Sequence, residues 1–173
     1  MTMATRPGKI DLRELESLVK KGEIDTIVLA FTDMQGRLIG KRVSANFFVD
    51  EIAAHGAECC NYLLAVDVEM NTVGGYRISS WERGYGDMAM IPDFDTLRLV
   101  PWQPGTALVM ADLRWLDQQP VIESPREILK TQLARLAERG LEAHVGTELE
   151  FIVFDDSYRD AWKKGYTGLT SAS

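Results

Sequence analysis

Glu148 and Glu150 stand two residues apart in the stretch Gly146-Thr147-Glu148-Leu149-Glu150-Phe151-Ile152-Val153-Phe154. Along an extended strand side chains alternate, so Glu148, Glu150 and Ile152 share one face while Leu149, Phe151 and Val153 share the other. Two carboxylates therefore point the same way, roughly 7 Å apart. The stretch is otherwise apolar, and burying an unpaired carboxylate is costly. Oxygen ligation of Mg²⁺ or Mn²⁺ removes that cost. Two neighbouring ions that bridge phosphate oxygens would suit such a pair. A solvated sheet face, or ion pairs with Arg or Lys, would use the same spacing, and spacing alone leaves these alternatives open.

A second group gathers in and near the Gly-rich segment from Asp67 to Gly86, where Arg77, Arg83 and Arg98 accompany Trp81, Tyr85 and Asp87. This segment is about 20 residues long, and loops of that length are uncommon unless functional. Arginines with aromatics can clamp a phosphate-bearing ligand; they can equally form an interfacial loop with cation–π packing. The only histidines are His55, at a predicted helix end, and His144, on the Glu148 face by parity. Cys59 and Cys60 are adjacent, too close for a disulfide with each other, and read as small buried groups in a reducing, cytoplasmic setting. The sequence holds no His/Cys cluster for zinc, no Walker A motif, no dinucleotide fingerprint and no Gly-x-Ser-x-Gly elbow.

These residues need elements to position them. Asp11, with Glu14 three residues on, predicts a capped helix bearing Leu12, Leu15, Leu18 and Val19 and stopped at Gly22. Ile24 to Thr32 reads as a buried strand, Asp33-Met34-Gln35-Gly36 as a turn, and Arg37 to Val43 as the partner strand. A short helix to about His55 and a third strand from Ala57 to Val66 follow. Three further short strands are expected at Asp87–Ile91, Thr96–Val100 and Thr106–Leu113, punctuated by Pro92, Pro101 and Pro104. Ser124-Pro125-Arg126-Glu127 opens a helix to Gly140 with an apolar stripe of Ile128, Leu129, Leu133, Leu136 and Ala137. Leu141 to Phe154 reads as a strong strand.

The expected fold class is α+β. A first domain spans 11–114, a linker 115–123, and residues 124–173 form the incomplete start of a second domain. One helix and one strand cannot close a core, so the order of elements resembles that of a truncated protein. With 173 residues, 46% of them hydrophobic, the composition is that of a globular chain. A net charge of −7 argues against general nucleic-acid or anionic-membrane binding. Met1 to Gly8 lacks the apolar run of a signal peptide, and no stretch approaches a membrane-spanning length.

Three segments resemble the glutamine synthetase family, in that family's order. The strand 146–154 is similar to its Gly-x-Glu-x-Glu-Phe motif, Phe31-Thr32-Asp33-Met34-Gln35-Gly36-Arg37 to its F-T-D-x-x-G hairpin, and Gly86-Asp87-Met88-Ala89-Met90-Ile91-Pro92-Asp93 to its S-D-M-x-L-x-P-D stretch. The resemblance implies a β-grasp-like N-terminal domain followed by the first helix and strand of a catalytic domain. It implies ATP, Mg²⁺ or Mn²⁺, glutamate and ammonia or another amine as ligands. It also implies a homo-oligomer with sites between subunits. Glu150 would bind the ion nearer glutamate and Glu148 the ion nearer the nucleotide. Trp81 and Arg77 would line the ligand side, and Asp87 would act in catalysis.

Two departures stand out. Where the family carries F-D-G-S-S, whose aspartate helps bind ammonium, this chain has Tyr76-Arg77-Ile78-Ser79-Ser80. A cation at Arg77 repels ammonium. Glutamate–ammonia ligation is thus the first reading and a γ-glutamyl-polyamine or other γ-glutamyl-amine ligase the alternative. A non-catalytic interaction module is the third reading. The family's further metal carboxylates, its metal histidine and its phosphate-holding arginines lie beyond these 173 residues, so the chain by itself is expected to be inactive.

Overall fold

The computed structural model describes residues 8–79 and 84–172. They form two compact units, one running to Gly140 and one from Leu141 onward.

The first unit is built on a mixed five-stranded sheet in the order β2-β1-β5-β4-β3. The strands are β1 (Thr26–Thr32), β2 (Leu38–Ser44), β3 (Ala57–Cys60), β4 (Asp87–Leu99) and β5 (Thr106–Trp115). β1 runs parallel to β5, and every other pairing is antiparallel. Ile27, Leu29 and Phe31 alternate onto one face of β1 and are fully buried. Met88 and Met90 of β4 and Val109, Ala111 and Leu113 of β5 join them, as do Leu15, Phe48 and Ile52 from the helices above.

Local chemistry sets these elements. Asp11 caps the first helix, Leu12–Lys20, by accepting a hydrogen bond from the Glu14 amide at 2.8 Å. Gly36 takes φ 81° in the hairpin turn between β1 and β2, as the sequence requires. Gly40 has a different reason to be glycine. It faces Ala30 across the hairpin, and a Cβ there would lie 2.0 Å from the Leu29 carbonyl oxygen. The second helix begins as Ala45–Phe47, widens to a π-helix over Phe48–Ile52 and closes as Ala53–His55. Phe48 and Ile52 are the buried residues of its widened turn.

Several expectations need correction. The third strand ends at Cys60 rather than Val66, because the chain turns into a 3₁₀ helix over Asn61–Leu64. The two short strands around Pro92 are one strand, β4, with a register shift between Asp93 and Arg98. The Thr96 hydroxyl spans that irregularity, donating to the Asp93 carbonyl at 2.6 Å and accepting from the Met110 amide at 2.8 Å. Pro92 fits because β3 pairing stops at Met90, so the strand has a neighbour on one side only there.

The helix Pro125–Ala137 starts where expected, with Ser124 at the N-cap and Pro at the first turn, but the Ser124 side chain makes no cap bond. The expected inner stripe is not inner: Ile128, Leu129 and Leu133 are exposed, and no residue of this helix is buried. The helix is held by charge instead. Asp93 and Asp112 point to the sheet face opposite Met90 and Leu113 by strand parity. Arg126 bridges both, meeting the Asp112 carboxylate at 2.7 Å through Nε, and Lys130 adds a second contact to Asp112. Burial pushes the Asp112 carboxyl up, but Lys130 and Arg126 outweigh it and hold it below the ordinary value.

In the second unit the expected strand from Leu141 to Phe154 is absent. The chain is irregular through Val153, and Phe154 makes a single bridge, to Ser171. A period-2 pattern becomes a strand only when a neighbour supplies hydrogen bonds. Among the described residues of this unit, only the end of the segment finds one, where Ala172 donates to the Val153 carbonyl. Beyond it lies the short helix Tyr158–Lys163. The Asp156 carboxylate accepts from Lys164 and from the Thr170 amide, which together hold it below its usual range.

Candidate functional site

Arg77 lies in the loop between β3 and β4, Asp87 opens β4 at that loop's end, and one buried side chain ties the two arms of the loop together. Asn61 Nδ2 donates to the Ile78 carbonyl at 2.7 Å, and its Oδ1 accepts from the Gly86 amide at 3.1 Å. The Asn61 backbone amide also donates to the Gly86 carbonyl at 2.9 Å. The immediate neighbours of Arg77 and Asp87 thus share one anchor. Sequence reading missed Asn61. A signal existed: one amide side chain inside the run Cys59-Cys60-Asn61-Tyr62-Leu63-Leu64 must be satisfied if it is buried.

Asp87 opens β4 opposite Cys60, whose thiol donates to the Asp87 carboxylate at 3.6 Å. Burial, and then Asp87 itself, raise the Cys60 thiol above its ordinary value. Burial pushes Cys59 up to about 12. Both thiols therefore stay protonated at neutral pH, and neither is an activated nucleophile. Tyr85 packs edge-on against Tyr62, with ring centroids 5.7 Å apart. Trp81, expected on the ligand side, lies outside the described residues.

The F-T-D-x-x-G-R hairpin braces the base of the same loop. Asp33 is buried and accepts from the amides of Gln35 and Arg37 and from Arg37 Nε, at 2.9, 2.8 and 2.7 Å. Burial alone would raise this carboxyl, but the bonds from Arg37 and Gln35 hold it below its ordinary value. The Arg37 guanidinium continues to the carbonyls of Asp67 and Val68, and Gln35 Nε2 reaches that of Val66. The loop is thus fastened to the turn at one end and to Asn61 at the other.

Arg77 lines a cavity of about 480 Å³ together with Met34, Leu64, Tyr76, Ile78, Ile122, Glu123 and Ile128. Glu148 and Glu150, in the second unit, are exposed. Their neighbours Leu149 and Phe151 are 87% and 78% exposed. Among the described residues no three His, Cys, Asp or Glu side chains gather as a metal site. The two carboxylates as placed do not make a coordination sphere for a divalent ion. His144 meets Glu142 at 3.6 Å, with both side chains largely in solvent. No helix among the described residues is long and apolar enough to cross a membrane.

Comparison with known proteins agrees with the motifs. Residues 122–172 match the family model described as glutamine synthetase, catalytic domain. A gamma-glutamylethanolamide synthetase (GlnA4) of Streptomyces coelicolor is 58% identical over 173 residues, 100% of this chain and 37% of that protein. A glutamate–isopropylamine ligase of a Pseudomonas species is 35% identical over 160 residues, 90% of this chain and 35% of that protein. Among solved structures, a GmaS/ADP complex superposes with a TM-score of 0.56 at 27% identity, covering 72% of this chain and 26% of that one. The chain spans little more than a third of the length of these two curated relatives. Residues 122–172 thus match the glutamine synthetase family, and the two curated relatives just described are named as ligases of amines other than ammonia.

Proposed function

We propose that the protein to which these residues belong is an ATP-dependent ligase that joins an organic amine to the γ-carboxylate of glutamate. The observation that carries this reading is the 58% identity, across all of this chain, to a protein named as a gamma-glutamylethanolamide synthetase. Arg77 supports it, standing where the family's ammonium-binding aspartate is expected. In the reaction that the family resemblance implies, a γ-carboxylate oxygen bonds to the terminal phosphorus of ATP and ADP leaves. The amine nitrogen then bonds to the acyl carbon, phosphate departs with its oxygen, and the nitrogen gives up a proton.

In this reading the first unit contains the β-grasp-like domain, residues 11–114, which closes the site of a neighbouring subunit in a homo-oligomer. Residues 115–123 form the linker and residues 124–173 begin the catalytic domain. Asp87 is the proton-accepting carboxylate at the amine, and Arg77 and Trp81 line its approach. A free ammonium ion gains least beside Arg77, whereas a larger amine can use apolar contacts to offset the repulsion. Glu148 and Glu150 are two carboxylates of the Mg²⁺ or Mn²⁺ site, completed by ligands outside the residues described. ATP and divalent cations belong to the family's chemistry in general.

The test uses a protein of the relatives' full length that carries this segment. It is supplied with ATP, Mg²⁺, glutamate and, in turn, ammonia, ethanolamine, isopropylamine and a polyamine. Phosphate release and product mass are both read. The expected product is a γ-glutamyl amide of an organic amine. Arg77→Asp should move the preference toward ammonia by about tenfold or more. Glutamine as the sole product would overturn the amine reading, and no phosphate release with any amine would overturn the ligase reading.

A further inference from the structure

The helix Pro125–Ala137 and the irregular part of β4 meet at one carboxylate. Asp93 stands where the β4–β5 register shifts, and an irregularity of this kind re-aims the side chain beside it. Asp93 Oδ1 accepts from the Asp95 amide at 3.1 Å, while Oδ2 meets the Arg126 guanidinium and lies 3.8 Å from Lys130 Nζ. The Asp93 carbonyl accepts from the Thr96 hydroxyl, which itself accepts from the Met110 amide. The turn 93–96 and the helix therefore hold the two oxygens of a single side chain.

Each partner has little else to fix it. The helix has 13 residues and none of them is buried. A helix of that length is marginal in water by itself, so leaving the sheet means melting. Residues 94–97 make no ladder pair with β5. Leu97 is buried and its carbonyl accepts from the Ile10 amide, which pins the chain only after the turn is complete. The charged contacts are partly desolvated: the Arg126 side chain is 21% exposed and those of Asp93 and Asp112 are 20%. They are thus stronger than free surface pairs, yet still open to screening by salt. The helix start is fastened separately, since Val121 is buried and its amide donates to the Leu113 carbonyl at 3.1 Å.

We propose that the turn 93–96 and the helix Pro125–Ala137 form one cooperative latch, joined through Asp93 to Arg126 and Lys130, which ionic strength opens as a unit while the rest of the sheet stays folded. The fastening at Val121 keeps the released chain tethered, so the latch can close again. The device lies wholly within the first unit and stands or falls separately from the ligase reading.

The experiment follows amide exchange in the 173-residue chain, residue by residue, at fixed pH and temperature. Sodium chloride is raised from about 0.01 M to about 1 M, which shortens the Debye length from about 30 Å to about 3 Å. Helix amides from Leu129 onward and the Met110 amide should quicken together, by about threefold to tenfold, with the β1 amides unchanged. Arg126→Met should exchange fast at low salt and respond little to further salt. Thr96→Val removes two bonds made within the sheet, and it should still quicken exchange in the helix by about threefold or more. Thr96→Ser, which keeps the hydroxyl, should not. A helix indifferent to salt would overturn the proposal, as would a helix that opens while the Met110 amide stays protected, or unchanged helix exchange in Thr96→Val. Should Thr96→Val lack the native circular dichroism, the joint response of helix and Met110 to salt in the natural sequence decides the matter.

Discussion

Replacing Asp33 should cost the first unit much of its margin of stability, and the geometry sets the size of the loss. The Asp33 side chain is fully buried and accepts three hydrogen bonds, two from backbone amides and one from the Arg37 guanidinium. Removing one partner of a buried ion pair costs about 3–5 kcal/mol. The Arg37 side chain is 33% exposed, so water recovers part of its charge and the lower end applies, about 3 kcal/mol for Asp33→Ala. Asp33→Asn keeps an acceptor for the amides and loses the charge-assisted bond, about 1.5–3 kcal/mol. Urea unfolding at pH 7, followed by circular dichroism, reads both values. Because the folded carboxyl is held below its ordinary value, its contribution is fully present above the unfolded value near pH 4 and fades as pH falls through the folded one. The gap between the natural sequence and Asp33→Asn should therefore narrow on acidification from pH 5 to pH 2. A loss below about 1 kcal/mol for Asp33→Ala, or a gap that does not change with pH, would refute the reasoning.

Arg126→Met removes the bridge between Asp93 and Asp112 and leaves two carboxylates on one sheet face; amide exchange across Pro125–Ala137 should quicken by about tenfold or more while β1 and β5 stay protected. Gly40→Ala forces a Cβ to within 2.0 Å of the Leu29 carbonyl, so the β1–β2 hairpin must part, and thermal unfolding should show a loss of about 3 kcal/mol or no folded protein at all. Cys59, raised to about 12, should resist iodoacetamide at pH 8 in the folded chain and react promptly in urea, as intact-mass measurement will show.

The sequence was most informative where a single chain segment decides the outcome. Asp11 caps its helix, and Gly36 takes its positive φ, from local chemistry alone. Reading failed where the outcome depends on a partner remote in sequence. Ala57 to Val66 looks like one apolar strand, but Asn61 finds Ile78 and Gly86 and bends the chain away. Ile128, Leu129 and Leu133 look like a core stripe, but Arg126 and Lys130 decide how the helix sits. Leu141 to Phe154 alternates like a strand, and alternation cannot say whether a neighbouring strand exists. For the site, Arg77 and Asp87 were legible as chemistry in a long loop. Asn61 was not, because its partners, Ile78 and Gly86, lie far along the chain.

The Asn61 anchor changes what the β3–β4 connection costs and what it permits. By joining Ile78 to Gly86 it divides a loop of about 20 residues, leaving a small closed stretch, 79–85, whose ends are already held together. Closing only that stretch saves roughly 1 kcal/mol of chain entropy relative to closing the whole loop. The residues inside it can then change in identity without reopening the terms on which the sheet folds. Change of sequence within that stretch and stability of the scaffold are thereby decoupled at one side chain.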